Sequence, residues 1–164
     1  MPAQSELYQL AADVELLFTT YCETLDDAAI ERWPDFFASE SRYRITTRDN
    51  LERNLPLSLV LCEGVGMLRD RARALQETVM YRRRFQRRLM SGIRLETADG
   101  IDGSGVKVRA SFLVCESMGD GPTQLLVSGR SQDIVVREGD SLKFKQRLCV
   151  IDSTVIPDSL VFPL

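Results

Sequence analysis

The sequence contains no histidine among its 164 residues. This absence excludes the Ser-His-Asp and Cys-His arrangements of nucleophilic catalysis, because both use an imidazole as the general base. It also excludes an iron site built from two histidines and one carboxylate, and the usual histidine-containing zinc sites. A Rieske cluster needs two histidines as well as two cysteines. The chain is therefore left with carboxylate and tyrosine chemistry, and we expect it to bind no cofactor.

Close cysteine pairs, glycine-rich phosphate loops and long apolar runs are missing too. The sequence has neither of the common nucleotide-binding glycine motifs, G-x-x-x-x-G-K-[ST] and G-x-G-x-x-G. No apolar run approaches the roughly 20 residues of a membrane span, and no secretory signal is visible. These absences predict a cytoplasmic protein that does not enter a membrane. We expect its cysteines to be reduced core residues, since they are widely separated along the chain: Cys22, Cys62, Cys115 and Cys149.

Acidic residues outnumber basic ones overall, 24 to 21, but five of the arginines fall in one stretch. The net charge is −3, which argues against general binding of nucleic acid. Yet residues 80–90, MYRRRFQRRLM, hold five arginines and no lysine. The run is short and the rest of the chain is acidic, so we expect no nucleic-acid partner.

Apolar periodicity divides the chain into helices followed by strands. Residues 5–25 and 67–78 have helical spacing, and a short helix opened by Asp26 and Asp27 is expected to kink or stop at Pro34. Residues 42–48 alternate with period two as a half-exposed strand does, and residues 57–63 fit either a shorter, more apolar strand or a loop lining. Three later segments are rich in β-branched or aromatic residues and are predicted to be strands: 106–116, 124–137 and 142–152. We therefore predict a single α+β domain over residues 1–164, with helices packed on one face of a curved, mostly antiparallel sheet.

The arginine-rich stretch has two unlike faces if it forms a strand. One face alternates aromatic and apolar residues with arginines: Tyr81, Arg83, Phe85, Arg87 and Leu89. The other face is polar throughout: Arg82, Arg84, Gln86 and Arg88. Arginines paired with carboxylates are typical of wet protein–protein interfaces, so Arg82, Arg84 and Arg88 are candidate contacts to a neighbouring chain. The alternatives are a solvated strand face and a binding module for an acidic partner.

Three other polar residues are candidates for a role beyond the core. Tyr43 and Asp133 are possible members of a small acid–base pocket, although a buried tyrosine with a satisfied hydroxyl is the ordinary case. Asp152 follows a strong strand, and we expect it to organise a turn or an interface.

The strands after residue 80 supply more apolar side chains than one face of a solvated sheet needs. We assign six of them to the outer face, away from the helices: Val106, Val108, Leu125, Val127, Val135 and Phe144. A monomer seldom leaves a large apolar patch in water. The sequence therefore predicts that the chain is not a monomer in its working state.

Three stretches in fixed order carry a family resemblance. Residues 26–43 contain an Asp-Asp pair, Trp33-Pro34 and a Phe-Phe pair before Tyr43. Residues 65–77 read VGMLRDRARALQE, and the last 18 read RLCVIDSTVIPDSLVFPL. Together they resemble the small (beta) subunit of aromatic-ring-hydroxylating dioxygenases, especially those acting on aromatic carboxylates such as terephthalate and salicylate. The resemblance covers the chain from about residue 10 to 164.

The resemblance implies a cone-shaped fold like that of nuclear transport factor 2 (cystatin-like) and a noncatalytic scaffolding role in aromatic catabolism. It implies a large alpha subunit that carries the Rieske 2Fe-2S cluster and the mononuclear iron, in an α3β3 hexamer built on a beta trimer. Members often have histidines where this chain has Arg84 and Arg88. The alternative is a free-standing isomerase or dehydratase of the same fold, which needs Tyr43, Tyr81 or Asp133 to converge in an open pocket.

Overall fold

The structure is a computed structural model that describes residues 4–78, 83–96, 105–155 and 160–164. Its helices are α1 (Gln4–Asp26), a 3₁₀ helix (Ile30–Phe36), α2 (Arg48–Glu52) and α3 (Gly64–Glu77). Its strands are β1 (Phe37–Thr47), β2 (Val60–Glu63), β3 (Arg84–Leu95), β4 (Val106–Met118), β5 (Gln124–Glu138) and β6 (Ser141–Ile151). None of the described helices is long and apolar enough to cross a bilayer.

The six strands form one open, curved sheet in the order β2-β1-β6-β5-β4-β3. Neighbouring strands are antiparallel except β1 and β6, which pair in parallel. The long strands β3 to β6 follow one another along the chain as a meander, and β3 lies at one edge. This arrangement confirms the predicted α+β cone with helices on one side.

The core lies between the helices and the concave face of the sheet. Helix α1 buries a stripe at helical spacing that includes Val14, Phe18 and Tyr21, and each of these is 0% exposed. Tyr21 and Phe18 meet Phe144 of β6 edge-to-face, with ring centroids 5.5 and 5.3 Å apart. Trp33 of the 3₁₀ helix contacts Tyr43 of β1 in the same geometry. Aromatic pairs of this kind add stabilisation beyond the area they bury.

Most predicted elements are confirmed, with local differences near their ends. The expected short helix is a 3₁₀ helix that begins at Ile30, and Asp26 and Asp27 do not open it, because α1 continues to Asp26. Helix α3 buries Leu68 and Ala72, whereas Met67 in its first turn is 48% exposed. The five-residue helix α2 was not predicted from its sequence.

The assignment of six apolar residues to the outer face of the sheet is wrong for five of them. Val106, Val108, Val127, Val135 and Phe144 are at most 4% exposed and belong to the core, and only Leu125, 54% exposed, faces outward. The reason is strand periodicity: β4 alternates buried and exposed residues from Val106 onward. The face with the unbroken apolar series is the one that packs on the helices.

Candidate interaction site

The arginine-rich strand turns its polar face inward. In β3, Gln86, Arg84 and Arg88 are half-buried or buried, whereas Phe85 and Leu89 are 58% and 54% exposed. The face that is polar throughout is thus the one turned to the interior of the protomer, whereas the face that carries Phe85 and Leu89 is open to solvent. Arg82, the third candidate contact residue, lies outside the described residues.

Arg88 joins the end of α1, the edge strand and the C-terminal residues. Its Nη1 donates to Oδ1 of Asp26 at 2.6 Å, and its main-chain N–H donates to Oδ2 of the same carboxylate at 3.1 Å. Its Nε and Nη2 donate to the Pro163 carbonyl at 3.1 and 2.6 Å. The Arg88 side chain is only 2% exposed. The carboxylate that this arginine contacts therefore belongs to the same chain.

Arg84 also contacts a carboxylate of its own chain. Its Nη1 lies 3.2 Å from Oε2 of Glu116, and Gln86 Nε2 donates to the same oxygen at 2.7 Å. The Arg84 guanidinium sits 5.8 Å from the centre of the Phe162 ring. Both arginines thus stabilise the fold of one protomer, and a role for them between chains stays a prediction.

Asp152 fastens the end of the sheet to neighbouring segments. It forms an ion pair with Arg48 of α2, and its Oδ2 accepts from the Ser128 hydroxyl at 3.1 Å. Its main-chain N–H donates to the Ser128 carbonyl at 2.9 Å. These contacts organise the chain where β6 ends. Its side chain is 38% exposed, and its role as a contact to a neighbouring chain stays a prediction.

The interior of the cone contains a buried ion pair that the sequence interpretation missed. Arg147 Nη1 lies 3.3 Å from Oδ2 of Asp133, and the two side chains are 1% and 0% exposed. The guanidinium also lies 4.5 Å from the ring centre of Tyr21 and 5.0 Å from that of Phe144. Burial raises the pKa of Asp133 to about 6, although the charge of Arg147 opposes that shift.

Leu164 occupies the middle of this interior. The Tyr21 hydroxyl and Arg147 Nε donate to its carbonyl oxygen at 2.7 and 3.3 Å. Its N–H donates to the Tyr43 hydroxyl at 2.8 Å, and the residue is 4% exposed. Burial raises the pKa of both tyrosines above the ordinary range. Tyr43 and Asp133 are thus brought to the same interior, but the chain itself fills it, and Tyr81 lies outside the described residues.

Arginines contact each of the last four residues in turn. Arg71 Nη2 donates to the Val161 carbonyl at 3.2 Å, and Arg84 lies over the Phe162 ring. Arg88 then binds the Pro163 carbonyl and Arg147 the Leu164 carbonyl. We call residues 160–164 the C-terminal segment. Four arginines from α3, β3 and β6 hold it across the concave face.

Comparisons with known proteins match this architecture. Residues 22–158 match the family model described as the ring hydroxylating beta subunit. The chain belongs to that family. It is 31% identical to a beta subunit of the terminal oxygenase component of terephthalate 1,2-dioxygenase from Comamonas sp., over 88% of this chain and 92% of that protein.

Two further relatives agree. The small subunit of anthranilate 1,2-dioxygenase from Burkholderia cepacia is 27% identical over 93% of this chain and 92% of that protein. Among solved structures, the beta subunit of a proposed aromatic-ring-hydroxylating dioxygenase from Novosphingobium aromaticivorans superposes with a TM-score of 0.84 at 28% identity. That match covers 96% of this chain and 99% of the other. The chain is thus a small subunit of a ring-hydroxylating dioxygenase, as the resemblance predicted.

As a beta subunit, this chain offers poor ligands for iron. In the described ranges, no three His, Cys, Asp or Glu side chains lie close enough together to hold a metal ion. The four cysteines are free thiols, and three of them are buried. The donor set of this chain does not fit a Rieske cluster or a mononuclear iron site.

The interior ion pair of the beta subunit left a signal in the sequence. In β6, Arg147 falls on the same face as Cys149 and Ile151, which are both inward. In β5, Asp133 shares its face with Ser131 and Val135, and the two charged residues are direct cross-strand partners. An arginine on an inward face needs an inward carboxylate, so strand alternation would have predicted the pair.

Proposed function

We propose that this chain is the noncatalytic scaffold of its dioxygenase, and that a large alpha subunit carries the Rieske cluster and the mononuclear iron. One observation carries the proposal: the interior of the cone is filled by Arg147 and Leu164 and by the rings around them. An enzyme that acts on a ring-shaped substrate needs an open cavity next to its catalytic acid or base. Here the candidate acid–base groups, the Tyr43 hydroxyl and the Asp133 carboxylate, contact Leu164 and Arg147 of the same chain.

The alternative, a free-standing isomerase or dehydratase, is disfavoured by the same contacts. The Tyr43 hydroxyl accepts the Leu164 N–H, and Asp133 faces Arg147. Tyr43 is 0% exposed and Asp133 is 2% exposed, so neither can reach a substrate in solution without displacement of the C-terminal segment. This arrangement supports the scaffold over the enzyme.

The names of two relatives support a class of substrate for the whole complex. Terephthalate and anthranilate are both aromatic carboxylates. We expect the alpha subunit that binds this chain to hydroxylate an aromatic carboxylate at its own iron site. The proposal includes an α3β3 hexamer on a beta trimer, a single domain over residues 1–164 and a cytoplasmic location.

Co-expression with a large subunit tests the proposal. The tagged chain should copurify with a Rieske-type large subunit, and iron should be found with the large subunit only. Light scattering should give a mass for the chain alone near three times its 18.6 kDa, rising when the large subunit is added. A stable monomer that ignores every Rieske-type subunit tested, and turns over a small ring compound, would contradict it.

A further inference from the structure

The convex face of the sheet carries an arginine cluster that differs from the inward-facing arginines. Arg94, Arg109 and Arg130 line a shallow depression of about 250 Å³ together with Gly92 and Ser111. Arg94 and Arg109 are direct cross-strand partners in β3 and β4. Arg130 pairs with Ser111 in the next strand, which places it diagonally to Arg109.

These three like charges are only partly offset. Arg109 forms an ion pair with Glu96 at 3.1 Å, and its side chain is 47% exposed. Within the described part of the chain, Arg94 and Arg130 form no ion pair. Like charges on neighbouring strands destabilise a sheet unless something neutralises them. The cluster therefore has the capacity to accept carboxylates from outside the protomer.

Apolar side chains border the cluster on the same face. Phe85, Leu89 and Leu125 are each more than half exposed, at 58%, 54% and 54%. Leu113, opposite Leu89 in the ladder, is half-buried between them and the arginines. Exposed aromatic and aliphatic side chains next to arginines are the composition typical of a protein–protein interface.

Helix α1 has a surface of the opposite character. Its solvent side is a stripe at helical spacing in which every residue is exposed: Tyr8, Ala12, Glu15, Leu16, Thr19 and Glu23. Tyr8 and Leu16 are 68% and 64% exposed. The stripe thus combines two large apolar side chains with two carboxylates and no positive charge. We call it the acidic stripe, and the convex arginine cluster with its apolar border the basic face.

We infer that the basic face of one protomer binds the acidic stripe of a second copy of this chain. Apolar side chains then meet apolar side chains, while Glu15 and Glu23 supply the charges that the arginines lack. The two surfaces are different, so the contact is head-to-tail and can close into a ring. The inference rests on the self-association in the proposed function and names the surfaces that produce it.

Charge reversal on full-length protein tests the contact. The first variant combines Arg94→Glu with Arg130→Glu, and the second combines Glu15→Lys with Glu23→Lys. Each should raise the protein concentration needed for half-assembly about tenfold or more, since like charges then face each other. A variant with all four changes restores opposite charges and should assemble almost as the native chain does. Sedimentation velocity over a concentration series measures the concentration at which half of each variant is assembled.

Matched controls separate the contact from general effects of charge. Arg69→Glu with Arg73→Glu alters two exposed arginines on α3 and should leave assembly unchanged. Circular dichroism and thermal melting show whether each variant folds. If the Arg94→Glu, Arg130→Glu variant does not fold, the milder Arg94→Gln, Arg130→Gln variant takes its place. The inference is overturned if the native chain stays monomeric, or if both double variants assemble normally. It is also overturned if the variant with all four changes does not regain assembly. Copurification with the large subunit in any of these cases leaves the scaffolding role standing, although a monomeric native chain removes the beta trimer from the proposed function.

Discussion

Replacement of Arg88 by methionine should destabilise the protomer strongly, while the same change at the adjacent Arg87 should not. Methionine keeps a long apolar stem and removes only the guanidinium. The Arg88 side chain is 2% exposed and bonded to both Asp26 and Pro163, whereas Arg87 is 72% exposed and lies 3.9 Å from Asp26. The two residues are neighbours in the same strand, so they form a matched pair.

The magnitude follows from what is left behind in the folded state. The Asp26 carboxylate is 8% exposed in the native structure. Without the Arg88 guanidinium it still has the main-chain N–H of residue 88 and the charge of Arg87 3.9 Å away. The Pro163 carbonyl loses both of its donors. Removal of one partner of a buried ion pair typically costs about 3–5 kcal/mol, and the remaining contacts favour the lower end. Removal of an exposed partner costs about 0–1 kcal/mol.

Urea and thermal unfolding at one fixed protein concentration measure the difference. A fixed concentration is needed because self-association raises the apparent stability. A loss of about 3 kcal/mol corresponds to a fall in Tm of about 6–12 °C for a domain of this size. The Arg87→Met variant should melt within about 2–4 °C of the native chain.

The opposite result would restore the interface interpretation of Arg88. If Arg88→Met melts like Arg87→Met but fails to assemble, the guanidinium acts between chains and the contacts to Asp26 and Pro163 contribute little. Equal melting with normal assembly would refute both the structural role argued from the geometry and the assembly role predicted from the sequence.

Three smaller changes test the interior and the sheet. Gly129→Ala should lower the free energy of unfolding by at least about 1–3 kcal/mol, because a Cβ there would collide with the Val150 main-chain carbonyl oxygen and lie 2.8 Å from the Phe112 ring; urea unfolding measures it. Tyr21→Phe should cost about 1–3 kcal/mol by the same method, since the Leu164 carbonyl loses its closest donor. The folded pKa of Asp133, about 6, lies above its ordinary 3.8, so the stability it contributes is present below pH 4 and is lost as pH rises through 6. The stability of the native chain relative to Asp133→Asn should therefore fall between pH 4 and 6, and a flat difference would contradict the raised pKa.

Elements with strong periodicity were predictable from the sequence, and long-range contacts were not. Helix α1 and strands β4 to β6 follow from spacing alone, because their buried stripes repeat every three to four or every two residues. Helix α2 is too short for a periodic signal, although the Thr47 side chain accepts the Asn50 N–H as an N-cap would. The sequence did contain that local signal.

The errors at the sheet share one physical cause. Alternation tells which residues share a face, but it does not tell which face meets the helices. For β4, the apolar series beginning at Val106 was assigned to the wrong side, and for β3 the polar series with Arg88 was expected to face a partner. Nothing local in the sequence shows that the C-terminal segment brings carbonyl oxygens under those arginines. Its position depends on contacts with residues up to 143 positions away.

Most hydrogen-bonding groups inside the cone of this chain are paired with other groups of the same chain. This pairing explains why the fold can act as a structural subunit and not as an enzyme. A catalytic cavity keeps hydrogen-bonding groups unpaired so that a substrate can bind them. Here Tyr21, Tyr43 and Arg147 bond to Leu164, and Asp133 pairs with Arg147 through Oδ2. Of these four side chains, only Asp133 keeps an oxygen, Oδ1, without a partner in the described part of the chain. Saturation makes the interior part of the core, where breaking any contact costs stability. The arginines of the basic face and the carboxylates of the acidic stripe lie instead on the outside of the protomer, where a second protein chain can contact them.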